Sequence, residues 1–249
     1  MSSIRIIPSL LLKDRRLVKG KEFKNHIDCG DPVKTCVSYE GQLADEIILV
    51  DLLAYTHSKK PNFDILKSIN NECNTPIAFG GNISSENDFE KCIRNGADKI
   101  IINNHLENKE LINNLVKNFG SQSIIAGIDI IKINNNFKIL KRDKILELDI
   151  YSYIEKVTEL EVGEIKITYV HLEGTGKGFE QDLSAKIINK TNLPVIFEGG
   201  FDKLHELDEA INKNLSAIAL GNMITFSDNN IFKIKQYLEN CGHKVRLRN

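Results

Sequence analysis

Thr75-Pro-Ile-Ala-Phe-Gly-Gly-Asn-Ile83, followed by Ala97-Asp-Lys-Ile-Ile-Ile-Asn103, returns later as Leu193-Pro-Val-Ile-Phe-Glu-Gly-Gly-Phe201, followed by Ser216-Ala-Ile-Ala-Leu-Gly-Asn222. Gly81 corresponds to Gly200 and Asn103 to Asn222, both at a separation of 119 positions. Each copy reads apolar strand, Gly-Gly turn, amphipathic helix, apolar strand, small polar turn. A period near half the chain length is one half-domain used twice.

Outward from the repeat, strands and helices alternate. Short runs rich in Ile and Val predict strands over Ile4–Leu11, Glu46–Leu52, Ile77–Phe79, Lys99–Ile102, Ser123–Ile130, Glu164–Thr168, Val195–Phe197 and Ala217–Leu220. Such runs suit strands covered on both faces. Helices are predicted over Pro32–Leu43, Phe63–Cys73, Ser84–Asn95, Asn108–Phe119, Ile150–Leu160, Asp182–Lys190, Lys203–Asn212 and Asn229–Asn240. Ser84-Ser-Glu-Asn-Asp88 supplies helix-start chemistry, and Gly96 and Gly120 sit where a helix-ending glycine belongs. Eight alternating pairs predict an α/β fold, a (β/α)8 TIM barrel over residues 1–249 as one domain. Its half-barrels are about 1–120 and 121–249, with no linker between them.

Composition narrows the function. A chain of 249 residues can bury about three quarters of its unfolded surface in one core. The 33 basic and 34 acidic residues nearly cancel, which argues against a nucleic-acid or polyanion surface. Cys29, Cys36, Cys73, Cys92 and Cys241 are scattered, with no C-x-x-C and no histidine cluster. They read as reduced thiols of a cytoplasmic protein with no metal and no cofactor. The first residues show no secretory leader, and no apolar run approaches the roughly 18 residues of a membrane span.

A barrel of this kind presents its chemistry at the C-terminal ends of its strands. The Gly-Gly turns let backbone N–H groups approach an anion, and the helix that follows adds a favourable dipole. Candidate phosphate contacts are Gly80, Gly81, Asn82, Asn103 and Asn104 in one half, and Gly174, Gly199, Gly200, Gly221 and Asn222 in the other. Two such sites imply a ligand with a phosphate at each end. The same glycines also suit tight turns alone, so one site or two remains open. Lys19, Asp51, Glu173 and Glu198 are further candidates for the ligand face.

Several motifs stand in order: Ile6-Ile-Pro-Ser-Leu10, Lys13-Asp14, Val18-Lys-Gly20, Asp28-Cys-Gly-Asp-Pro32, Gly96-Ala-Asp-Lys99, Phe119-Gly-Ser-Gln122 and Gly174-Thr-Gly-Lys-Gly178. On these the chain resembles the cyclase subunit of imidazole glycerol phosphate synthase over essentially its whole length. The resemblance implies a two-half barrel acting on a bis-phosphorylated ribulosyl aminoimidazole nucleotide. Ammonia would come from a glutaminase docked on the barrel's N-terminal face.

The family's chemistry rests on two aspartates, at the ends of the first and fifth strands, which suits a base and an acid with differently tuned pKa values. The fifth-strand residue is present as Asp129 in Ala126-Gly-Ile-Asp129. Where the family reads Cys-Leu-Asp on the first strand, this chain reads Ser9-Leu10-Leu11, and leucine transfers no proton. Other departures share the face. His171 and Glu173 replace two aspartates, Glu198 stands beside a Gly-Gly turn, and Asn82 and Gly221-Asn222 are altered. Glu173 and Glu198 are candidate substitute acids.

The opposite face keeps its family identity. Four charges that gate ammonia in the family correspond to Arg5, Glu46, Lys99 and Glu164, and Asp98 matches a glutaminase contact. The same charges also suit a salt-bridged floor of the barrel. Three readings follow. The chain is a paralogue that takes ammonia from a glutaminase to another acceptor, such as a sugar amidotransferase in amidino-sugar synthesis. Alternatively it is the histidine-pathway cyclase, or a silent scaffold that activates the glutaminase.

Overall fold

Apolar runs of four to ten residues, separated by helices with side-chain caps, produce the alternation in the computed structural model, which describes residues 3–57, 59–142, 144–215 and 217–247. Ser216, which opens the last stretch of the repeat, lies outside the described residues. The elements run β1 (Arg5–Lys13), β2 (Arg16–Lys21), β3 (Lys24–Gly30), α1 (Pro32–Gly41), β4 (Ile47–Asp51), α2 (Leu52–His57), α3 (Phe63–Asn70), β5 (Ile77–Gly80), α4 (Glu86–Arg94), β6 (Lys99–Ile102) and α5 (Lys109–Phe119). After a 3-10 turn come β7 (Ile124–Ile133), β8 (Asn136–Lys141), β9 (Lys144–Leu146), α6 (Ile150–Thr158), β10 (Glu164–Tyr169), α7 (Gln181–Ile188), β11 (Val195–Glu198), α8 (Leu204–Asn212), β12 (Ala217–Leu220), α9 (Asn222–Thr225) and α10 (Ile231–Asn240).

The sheet closes. Parallel pairing runs β10, β11, β12, β1, β4, β5, β6, β7 and returns from β7 to β10. Eight parallel strands with helices between them make a (β/α)8 TIM barrel. Capping fixes several helix starts, of which the sequence anticipates the one at Ser84–Asp88. Asp31 accepts from Lys34 N at 3.0 Å before Pro32 opens α1, and Ser85 accepts from Asp88 N at 3.2 Å at α4.

Alternate residues of each barrel strand enter the lumen, because side chains switch faces with a period of two. Ile7, Ile48, Ala78, Ile101, Ile125, Ile196, Ala217 and Ala219 pack there as one cluster. The other faces, including Ile6, Leu49, Phe79, Ile100, Ile165 and Phe197, pack against the helices. Two features were absent from the sequence reading. β2 and β3 form a hairpin on β1, and β8 and β9 form another on β7. Both stand at the C-terminal end of the barrel and wall the cavity there. Among the described residues no helix is long and apolar enough to cross a membrane.

Candidate functional site

The C-terminal mouth holds a cavity of about 630 Å3. Gly80, Gly81, Asn82, Asn103, Asn104 and Asp129 line it, and Leu11, Val50 and Leu52 form part of its wall. A neighbouring cavity of about 340 Å3 is lined by Glu173, Gly174, Gly199, Gly200, Gly221 and Asn222. The two halves of the repeat therefore place their glycine and asparagine turns in two separate hollows of one face. Glu198 borders both.

Asp129 ends the inward row Ile125, Gly127, Asp129 on β7. Its Oδ2 accepts from Asn103 Nδ2 at 3.0 Å and from the Tyr55 hydroxyl at 3.1 Å. Burial pushes this carboxyl above the ordinary carboxylate range; Lys166 and the two hydrogen bonds pull the other way without prevailing. A raised carboxyl suits proton transfer near neutral pH. It also costs stability, because the folded state binds its proton more tightly than the unfolded state does. That cost is absent below the unfolded pKa and is fully felt once pH exceeds the folded pKa. Asp129→Asn keeps an oxygen for both donors and removes the charge. Its melting temperature should exceed the parent's at pH 8, by about 2–4 °C for each kcal/mol relieved, with the gap closing on acidification. An equal gap at pH 4 and pH 8 would contradict the raised pKa.

Opposite Asp129, the first strand offers no proton. Leu11 is 2% exposed and packs with Val18 of the hairpin and with Leu52. Its backbone pairs with Val18 and Val50. The strand-one corner is thus a small apolar core that the β2–β3 hairpin closes.

The two candidate substitute acids differ. Glu198 turns its carboxylate into the lumen, in hydrogen-bond contact with Lys166. Burial would raise its pKa, but Lys166 and Lys19 bring it below the usual range. Ionised and paired, Glu198 is a poor proton donor, which removes it as a substitute general acid. Glu173 is 3% exposed, and burial holds its carboxyl above the ordinary range while Lys19 opposes. Its Oε1 lies 3.9 Å from Lys19 Nζ.

Lys19 and Gly221 approach closely. Gly221 lets the Lys19 ammonium lie against the backbone; a Cβ there would make the lysine terminus shift. Gly200, at φ +100°, likewise lies where a Cβ would meet the Gly178 carbonyl at 2.1 Å. Lys19 Nζ, Glu173 Oε2 and Asn222 Oδ1 are buried with no hydrogen-bond partner among the described residues. Asn103 Oδ1 and both amide atoms of Asn104 form a second such group beside Gly81. Orphaned buried polar atoms are rare in folded proteins. Six such atoms among the described residues belong to these two groups.

Some expected contacts are occupied. The Asn103 amide serves Asp129. Asn82, at φ +52°, accepts from Arg142 Nη2 at 3.3 Å. Asp51 accepts from Ala54 N and from Asn62 N, both at 3.0 Å, so its two oxygens hold α2 and the start of α3. The helix dipoles are also partly spent. Glu206 accepts from Asp202 N at 2.9 Å and Lys203 N at 3.2 Å at the start of α8, and Ser85 caps α4.

At the opposite end of the barrel, four side chains close a ring of alternating sign. Arg5 Nη1 meets Glu46 Oε2 at 3.0 Å and Arg5 Nη2 contacts Glu164 Oε1. Lys99 Nζ meets Glu46 Oε2 at 2.8 Å and Glu164 Oε2 at 3.2 Å. Asp98 is exposed beside the ring and accepts from Ile77 N at 2.8 Å. Residues that the sequence reading passed over include Tyr55, which ties Asp129 to the β8–β9 hairpin by accepting from Arg142 N at 3.1 Å. Lys166 is another. Its signal was the polar–apolar alternation Glu164-Ile-Lys-Ile-Thr168, which marks a strand with a polar inner face.

A family model described as histidine biosynthesis protein matches residues 5–229. The chain is similar to imidazole glycerol phosphate synthase subunit HisF of Sulfolobus acidocaldarius, with 35% identity over 252 residues covering 99% of this chain and 100% of that one. The HisF subunit of Flavobacterium psychrophilum shows 36% identity over 251 residues, covering 99% and 100%. That of Dehalococcoides mccartyi shows 30% over 253 residues, covering all of both chains.

Proposed function

The chain belongs to the histidine biosynthesis protein family as a HisF-like cyclase subunit, and on that premise we propose that it takes ammonia from a glutaminase subunit and serves an acceptor other than the family's. The contrast between the two ends of the barrel carries this reading. The ring of Arg5, Glu46, Lys99 and Glu164 is complete and paired. The C-terminal face has Asp129 on one side and Leu11 on the other, buried in an apolar cluster. Ammonia would enter through the ring and travel along the lumen. The glutaminase would dock on the N-terminal face, around Asp98.

The C-terminal face supports a phosphorylated small molecule as the ligand. Gly81, Asn82 and Asn104 would hold an anion in one hollow. Gly174, Gly200, Gly221 and Asn222 would hold one in the other, with the Lys19 ammonium close to Gly221, and there Glu173 and the nearby Asp202 reduce the attraction. The acceptor system that fits a pocket without an acid–base pair is a sugar amidotransferase of amidino-sugar synthesis, supplied with ammonia by this barrel. Similarity along the whole chain and the retained Asp129 favour a second reading, the histidine-pathway cyclase.

Lys99→Ala tests the ammonia route. The chain is assayed with the glutaminase and sugar amidotransferase of the same source, using glutamine or ammonium salt. Glutamine-dependent product should fall about tenfold or more, because delivery through a lumen depends on effective concentration. Ammonium-dependent product should hold. Equal loss of both would reduce Lys99 to a structural role.

A further inference from the structure

The lumen holds a second charged pair that the ring does not explain. The inward residues of β10 are Glu164, Lys166 and Thr168, rising from the ring toward the cavity. Lys166 is 6% exposed and Glu198 is 3% exposed, and the two are in hydrogen-bond contact. Lys166 Nζ also donates to Thr168 Oγ1 at 2.6 Å. Beside them the Ser9 hydroxyl, 1% exposed, interacts with the Glu198 carboxylate and helps to keep it ionised.

Height along the barrel matters here. Strand register puts Gly127 opposite Lys166 and Ala219 opposite Glu198. Gly80 and Gly127 bring no side chains to this level, so the large cavity reaches down to Lys166. Beneath it Ile7, Ala78, Ile125 and Ile196 form an apolar layer. Beneath that stands the ring. A molecule moving from the ring to the cavity therefore crosses a charged level, a dry level and a second charged level.

We propose that Lys166 and Glu198 are a second gate, closing the cavity end of the lumen and leaving the layer of Ile7, Ala78, Ile125 and Ile196 as a dry passage for a small neutral amine, ammonia. The identity of the passenger rests on the function proposed above; the closure does not. A buried pair with an added hydrogen bond is costly to break, so it holds shut against cavity water. Neutral ammonia crosses apolar surroundings that ammonium does not. At the pair, ammonia accepts from the Lys166 ammonium and donates to Glu198 or to the Ser9 oxygen beside it. No covalent step is needed.

Ala78→Cys tests the closure without glutaminase or acceptor. The full chain is treated with methyl methanethiosulfonate, and labelling of residue 78 is followed by peptide mass spectrometry, which separates it from the native cysteines. With Lys166 and Glu198 in place, labelling should be slow. Lys166→Ala with Glu198→Ala should speed it at least about tenfold, since labelling follows the open population. Lys166→Leu with Glu198→Ser removes the charges and restores apolar filling, and serves if the first variant does not fold. It should show the same direction of change. Two results overturn the gate: fast labelling with the pair intact, or equal rates with and without it. If the gate fails while Lys99→Ala still uncouples glutamine from product, the ammonia route stands without it. If the gate holds while Lys99→Ala lowers both activities, the passenger is reassigned.

Discussion

Given ammonium salt and the bis-phosphorylated aminoimidazole nucleotide, the purified chain is expected to form imidazole glycerol phosphate about 10²–10⁴-fold more slowly than a relative with aspartate at the end of the first strand. That range is the usual contribution of one positioned acid or base. Leu11 contributes none, and its neighbours Val18 and Leu52 bring no acid in its place. Glu198 is ionised against Lys166 at the floor of the cavity. Glu173 keeps a raised carboxyl, but it lines the other hollow, 3.9 Å from Lys19. Leu11→Asp should recover part of the rate and lower stability by about 1–3 kcal/mol, because a carboxyl enters an apolar cluster without a partner. The paired measurement is turnover and melting temperature on the same sample. Turnover by the unaltered chain at the rate of an aspartate-bearing relative would remove Leu11 from the argument.

Glu164→Ala should cost about 3–5 kcal/mol, the usual loss when one member of a buried ion pair is deleted. Glu164 contacts both Arg5 and Lys99, as Glu46 does. Without it two cations share Glu46 alone. Arg5 and Lys99 retain side-chain exposures of 26% and 25%, so water recovers some of the loss and the lower end of the range is expected. At this chain length that corresponds to a fall of roughly 6–12 °C in melting temperature. A fall below 2 °C would mean that the ring behaves as a solvated surface network.

The barrel was legible because its strands are covered on both faces. The apolar runs Ile77–Phe79 and Val195–Phe197 are continuous, and the Gly80-Gly81 and Gly199-Gly200 turns fix where they stop. The β2–β3 and β8–β9 hairpins escaped because they face solvent on one side. Arg16-Leu-Val-Lys-Gly-Lys21 mixes charge with apolar residues and gives only a weak strand signal. In the site, repeat symmetry located both turn clusters and the gap at Leu11. It could not show that Asp51 is consumed by Ala54 N and Asn62 N, since a strand-end carboxylate reads alike as ligand contact and as helix cap. Nor could it separate Glu198 from Glu173. Their difference is a third residue, Lys166, brought beside Glu198 only when β10 and β11 pair.

On the proposed function, this barrel keeps the ammonia entrance and has given up its family's ring closure. Expression of the unaltered chain in a histidine auxotroph lacking only the cyclase subunit tests it most directly, with the native glutaminase of this system co-expressed. No growth without histidine is the expected result, with the chain shown to be folded and present in the cells. Growth at the rate supported by a HisF relative would contradict it and make the chain a working histidine-pathway cyclase.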